Sequence, residues 1–303
     1  MITKLKTFFF FLSVFSLPVL CASTSLAQNA NPPVRPGTLN YVEGSATLSG
    51  HPISLRATAA GPREVAAGNT LATDNGKVEM LLTPGVFFRL DDFSSARMVS
   101  PDLINTVVQL DSGRASVEVD QLFPQNNIQI VVNGTPTQIL KPGFYEFDAD
   151  RGAVRVFEGK AAVLSHENQR ITVGGHHEFA FEASAHFKPA SFDTHITNDE
   201  LYNWSSLRSE YLAEANTQIA GEYGYDGFAP GWYWDPYFDG YTFIGLDPFW
   251  SPFGWGFYGR GFYGRGFYGG GYGGYRGGGY GGFHGGGYGG GGFHGGGGGG
   301  GHR

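Results

Sequence analysis

From Thr38 to about Phe181 the chain is a succession of short runs of Val, Ile, Leu, Phe and Thr, each closed within a few residues by Gly, Asn, Asp or Pro. No helical pattern of the ~10–15 residues that a crossover needs interrupts these runs. A chain punctuated this often cannot form long helices, and without crossovers it cannot form a parallel βαβ sheet. An all-β domain is therefore predicted over residues 38–181. Arg114 to Asp120 sets the pattern: Ala115, Val117 and Val119 fall on one side, and Ser116, Glu118 and Asp120 on the other. Side chains alternate across a strand, so the segment is predicted to have one buried and one wet face. Tyr145 and Phe147, set against Glu146 and Asp148, repeat it. Turns are expected at Asn75-Gly76, Pro84-Gly85, Ser112-Gly113, Asn133-Gly134, Pro142-Gly143 and Glu158-Gly159.

Residues 1–27 are set apart from the fold. Lys4 and Lys6 precede an apolar run, Phe8 to Leu20, and Ser25-Leu26-Ala27 places small residues before Gln28. That order is a secretory signal peptide, with cleavage predicted after Ala27. The run is shorter than the ~20 residues that span a bilayer, so no transmembrane segment is expected in the mature chain. Cys21 invites a lipoprotein reading, but Leu20 is large where lipid attachment wants a small residue. Cys21 is the only cysteine, so the mature chain must be stabilised by packing rather than by disulfides. A periplasmic or extracellular location follows.

Residues 28–37 read as a linker. After the β-domain, Thr197 and Glu200 form a capping box. Leu201, Trp204, Leu207, Tyr211, Leu212 and Ala215 then share one side of a helical wheel, and Gly221 is a plausible stop, giving an amphipathic helix over 197–220. Such a stripe reads first as burial against the β-domain. Its sharper reading is a partner-docking helix through Leu201, Trp204 and Tyr211. Residues 221–255 are crowded with aromatics, and Asp235-Pro236-Tyr237-Phe238 returns as Asp247-Pro248-Phe249-Trp250. Trp232, Tyr233, Trp234, Tyr237, Phe249, Trp250 and Trp255 are the candidate contacts for a ligand or partner, since clustered Trp and Tyr anchor interfaces. The competing reading is that they complete the β-domain. From Gly256 to Arg303 the chain is nearly pure Gly and aromatic, and a disordered low-complexity tail is expected.

Charge narrows the partners. The body from Gln28 to Trp255 carries 14 basic and all 27 acidic residues, a net of −13, whereas the tail carries +4. An acidic body is a poor nucleic-acid binder. Gly174-Gly175-His176-His177-Glu178 reads as a polar hairpin after Val173, because adjacent strand residues point to opposite faces and cannot easily share a metal. Asp91-Asp92 reads as a solvated turn with no basic cluster beside it. No Ser-His-Asp signature, phosphate-cradling loop or zinc-protease motif appears. No catalytic, cofactor or metal residue is assigned, and the protein is expected not to be an enzyme.

Several segments in order resemble the FecR domain, the exported β-rich module of bacterial iron-signalling regulators. Tyr41-Val42-Glu43-Gly44-Ser45-Ala46 is similar to its opening strand and Glu-Gly turn, and residues 70–82 to its central strand–turn–strand. Residues 84–90, 142–148 and 154–163 follow as the family pattern has them. The resemblance covers residues 38–175 and implies a twisted β-solenoid or sandwich. In those regulators the domain receives a signal from an outer-membrane transducer and relays it to a sigma factor. This sequence shows neither a cytoplasmic helical segment nor a membrane span before the β-domain. The expectation is an exported binding or scaffold protein, with a protein or polysaccharide partner in the cell envelope and self-association through the tail. The alternative is an envelope sensor in FecR-type signalling.

Overall fold

The computed structural model describes residues 34–54, 64–165, 169–181, 188–194, 199–223 and 229–259. All lie in Met1–Gly264, the first of two units of the chain; the second, Arg265–Arg303, lies outside the described residues. So do the leader, Thr197 and the tail beyond Gly259.

The fold is all-β followed by one helix. The strands are β1 (Thr38–Leu48), β2 (His51–Pro52), β3 (Thr70–Leu81), β4 (Val86–Leu90), β5 (Ser95–Asp102), β6 (Asn105–Ser112), β7 (Arg114–Val119), β8 (Asn127–Val132), β9 (Thr135–Ile139), β10 (Gly143–Asp148), β11 (Ala153–Glu158), β12 (Lys160–Leu164), β13 (Arg170–Gly174), β14 (His177–Ala180) and β15 (Ala190–Ser191). After the helix α1 (Glu200–Tyr223) come β16 (Gly231–Asp235), β17 (Gly240–Ile244), β18 (Phe249–Trp250) and β19 (Gly256–Phe257).

The first fifteen strands form one open sheet that grows outward from β3. On one side the order is β5, β6, β8, β9, β12, β13; on the other it is β4, β7, β10, β11, β14, β15. The chain therefore alternates between two halves as it is laid down. Most pairs are antiparallel, while β6 and β8, separated by the excursion through β7, run parallel. One hydrophobic core receives the inward side chains of both halves, such as Met98, Val108, Ile130 and Val163 from one and Phe88, Val117, Tyr145 and Val154 from the other. β13 comes to lie beside β11 and β14 without pairing with them. This is a sandwich made by folding one sheet.

The fold corrects several turn assignments. Asn75-Gly76 does not reverse the chain; it lies within β3, which pairs with β5 through Thr70–Ala72 and with β4 through Val78–Leu81. β1 follows it throughout, and Gly44 faces Gly76 across the bend. A Cβ on Gly44 would run into the Asn75 carbonyl, and one on Gly76 into the Glu43 carbonyl. Two long strands can thus crease together only where both lack side chains. Gly44 also has φ +68°. We expect Gly44→Ala to lower stability by roughly 2–4 kcal/mol through strain and overpacking, read as a shift in urea midpoint at constant slope. Ser112-Gly113, Glu158-Gly159 and Gly174–His176 carry the chain from one half to the other, so the segment after Val173 is a crossing and not a hairpin. Asn133-Gly134 does close a hairpin, β8 to β9, with φ of 50° and 74° as a tight primed turn requires.

A further correction concerns the face of β7 expected to be wet. β7 alternates as predicted, but Ser116 and Glu118 are fully buried and Asp120 nearly so. The outer face of this half is covered by α1 and by β16 to β19. Leu212 and Ala213 of α1 pack with Leu81, Phe87, Tyr241, Phe243 and Phe257 in a second core.

Candidate functional site

The covered face carries a row of polar side chains set in register across six strands. Glu79, Arg89, Ser116, Glu146, Arg155 and Glu178 stand opposite one another on β3, β4, β7, β10, β11 and β14. Opposite charges directly across a ladder attract, so the row favours this strand order. Arg89, fully buried, donates from Nε to Glu79 Oε2 at 2.8 Å. Its Nη1 meets Glu118 Oε2 at 2.5 Å in an ion-pair contact outside hydrogen-bonding geometry.

α1 closes over this row with polar groups of its own. Arg208 Nη2 donates to Glu79 Oε1 at 3.0 Å, Ser209 Oγ to Glu118 Oε1 at 2.6 Å, and Ser205 and Ser116 share a hydrogen bond of 3.0 Å. Trp204 Nε1 donates to Glu43 Oε2 at 2.8 Å. At the start of the helix Asp199 accepts the Tyr202 amide at 3.2 Å, so Asp199 is the cap. The same carboxylate holds Arg114 of β7.

The electrostatics of the row are uneven. Burial pushes the Glu79 carboxyl up, but Arg208 and Arg89 outweigh it and hold the group at about 2. Glu146 is driven the other way, to about 8, first by burial and then by the charge on Asp199, with Arg114 and Arg155 opposing. Asp120 is raised well above the carboxylate range by burial and by Glu118. Asp91 is not the solvated residue expected. It is buried, with Lys77 Nζ at 3.0 Å and Arg114 Nε at 3.7 Å, basic groups delivered by β3 and β7.

The aromatic residues predicted as contacts divide into two sets. Trp232 meets Phe87 edge-on at 5.2 Å and Phe243 at 5.6 Å. Trp234 packs on Tyr241, Phe249 stacks on Phe257, and Trp255 Nε1 donates to the Ser206 carbonyl. Tyr233 is half-buried and its hydroxyl donates to the Ala229 carbonyl. Tyr237 and Trp250 are instead 79% and 76% exposed. On α1, Leu201 is fully buried and Trp204 nearly so against the sheet, while Tyr211 is 40% exposed and Leu207 44%. Tyr211 lies 5.9 Å from Phe238, which touches Tyr237. We expect Trp232→Ala to cost roughly 2 kcal/mol of stability and Tyr237→Ala less than about 0.5, measured by thermal unfolding.

Two cavities open beside the exposed aromatics. One, of about 360 Å³, is bordered by Tyr41, Val42, Ile53, Phe238 and Asp239. Arg208 lies 4.0 Å over the Tyr41 ring and fixes that wall. The other, of about 310 Å³, lies between Pro248, Trp250, Phe257, Tyr258 and Thr217. Both were missed in the sequence, because their walls come from segments far apart along the chain. His176, at φ 64°, sits in the turn between β13 and β14, and His177, whose Nδ1 lies 2.8 Å from the Gly175 carbonyl, opens β14. Among the described residues no group of three metal-ligating side chains converges, and no helix is long and apolar enough to cross a membrane.

No family model and no curated protein matches the chain. Two crystal structures of a "putative anti-sigma factor" from Parabacteroides distasonis ATCC 8503 resemble part of it. One is 16% identical with a TM-score of 0.31, over 35% of this chain and 51% of that one. The other is 15% identical with a TM-score of 0.32, over 36% and 52%. The chain thus spans about half the length of these structures, and neither likeness is close enough to carry function across.

Proposed function

We propose that the chain is an exported, non-enzymatic binding or scaffold protein of the bacterial envelope. Its FecR-like β-domain binds a protein or polysaccharide partner, and its Gly/aromatic tail adheres. The observation that supports this reading is the division of the side chains. The buried carboxylates of the row are closed beneath α1, whereas Tyr237 and Trp250 stand in the open beside cavities. Exposed aromatics of this size on a folded body are the usual mark of a contact surface.

The test is fractionation of the native cell with sequencing of the mature N-terminus, comparing the full chain with one ending at Arg260. The expected chain begins at Gln28 outside the cytoplasm, and truncation abolishes its retention on the envelope. A chain beginning at Met1 in the cytosol, or unchanged retention, contradicts the reading. The cut belongs after Arg260, because removal from Gly221 onward would strip β16 to β19 from Phe87 and unmask the sheet.

A second reading, an envelope sensor in FecR-type signalling to a sigma factor, draws on Leu207 and Tyr211, which α1 leaves exposed for a membrane-bound partner. Recovery of an outer-membrane transducer or a sigma-regulator complex on an affinity column carrying the full chain, lost with Tyr211→Ala, favours it over the first.

A further inference from the structure

Three copies of one short unit begin where the aromatic segment ends. Gly256-Phe257-Tyr258-Gly259-Arg260 returns as Gly261 to Arg265 and, with a glycine in place of the arginine, as Gly266 to Gly270. The first copy shows how such a unit is held. β19 pairs with β18, placing Phe257 opposite Phe249 and Gly256 opposite Trp250. The two phenyl rings are stacked at 4.9 Å and 11°. The Tyr258 amide donates to Asn216 Oδ1 at 2.6 Å, and Asn216 Nδ2 donates back to the Tyr258 carbonyl at 3.1 Å. Gly259 is required, because a Cβ there would enter the Asp247–Pro248 backbone, whereas one on Gly256 would lie 3.3 Å from the exposed Trp250 ring.

Seating this unit leaves the cavity of about 310 Å³ open beside it, with Trp250 as an exposed wall and Phe257 and Tyr258 themselves as lining. We propose that this cavity receives a Gly-Phe-Tyr-Gly unit, Gly261–Gly264 or Gly266–Gly269, from a second copy of the chain. The inference rests on the reading of the tail as adhesive and names what it adheres to.

Three observations favour that occupant. The further units offer the same aromatic pair and the same glycines as the unit already seated against Trp250. The described chain ends at Gly259 by Asp247 and Pro248, so the free units leave from the border of the cavity. Charge acts in the same sense, because a tail of +4 is drawn to a body of −13. The exposed indole then becomes the buried anchor of the contact, the role tryptophan fills at interfaces.

The test is sedimentation velocity of the full chain from micromolar to submillimolar concentration. The wild type associates as concentration rises. Trp250→Ala, and separately the pair Phe262→Ala/Phe267→Ala, weaken association tenfold or more. Tyr237→Ala, equally exposed, and Phe283→Ala/Phe293→Ala, in the tail but outside the units, leave it unchanged. The Phe262 and Phe267 changes lie outside the described fold, and circular dichroism checks that Trp250→Ala is folded. A wild type that stays monomeric, or variants that all weaken association alike, overturns the inference. So does a change in hydrodynamic radius with Trp250→Ala that is independent of concentration, since it places the chain's own tail in the cavity. Envelope retention is scored separately: its loss without any change in self-association bears on the proposed function alone.

Discussion

Arg89→Met is expected to destabilise the fold by about 3–5 kcal/mol at neutral pH, because it removes the buried cation between two buried carboxylates. Arg89 touches Glu79 on its own sheet row and Glu118 on β7, and all three side chains are closed to solvent. Methionine fills the volume but leaves Glu118 with only the Ser209 hydroxyl and the Asp120 carboxyl. Glu79 keeps Arg208 and Asn40, so the larger part of the loss falls on Glu118. The double variant Arg89→Met/Glu118→Leu should recover at least half of the loss, since an apolar pair replaces a desolvated ion pair nearly neutrally. Urea midpoints of the three proteins at pH 7 check this, and an Arg89→Met protein of wild-type stability would show that the row is wet.

Glu146→Gln is expected to have the opposite sign. A carboxyl whose folded value is raised from 4.5 to about 8 keeps its proton when the unfolded chain has lost it. The folded state then binds more protons, so stability falls as pH rises from about 4.5 to about 8 and is level beyond. At 1.36 kcal/mol per unit the fall amounts to roughly 5 kcal/mol. Glutamine stands in for the protonated acid and cannot lose a proton. The variant should match the wild type near pH 5 and exceed it by several kcal/mol at pH 9. Glu79 acts in the other direction. Held at about 2, it contributes stability above 4.5 that is lost as pH falls towards 2. The combined contribution of these two groups is largest close to pH 5. A Glu146→Gln protein with the same pH profile as the wild type would contradict the closed environment of Glu146.

How much of this could be read from residues alone depended on whether a side chain was apolar. The inward rows, such as Ala115, Val117 and Val119 or Tyr145 and Phe147, were legible because alternation with a buried face has a simple period. The outward rows were misread. Ser116, Glu118 and Glu146 look like any solvated face, and only the covering elements make them buried. A signal was present in Phe87-Phe88-Arg89-Leu90 and Val117-Glu118-Val119, where one charge interrupts an apolar strand. Charges so placed are commonly paired across strands.

The helix shows the same limit. Leu201, Trp204, Leu212 and Ala215 were found, but the buried side also includes Ser205, Arg208, Ser209 and Asn216 and leaves out Leu207 and Tyr211. A hydrophobic wheel cannot register a face whose partners are Glu79, Glu118 and Ser116. Ser205 and Ser209, four apart and small, let the helix approach the sheet closely enough for Arg208 to reach Glu79. The expected boundary of the tail at Gly256 shifted for a related reason. Glycine's entropic cost is offset locally where Phe257 stacks on Phe249 and Gly259 fits against Asp247 and Pro248.

α1 is part of the closed body rather than an element held ready for a partner. Native-state hydrogen exchange of the full chain measures this directly. Amides of α1 from Trp204 to Asn216 should be protected to the same free energy as those of β7, because the two open together as one unit. Exchange of those helix amides at near-unfolded rates, while β7 stays protected, would show that α1 lifts from the sheet on its own.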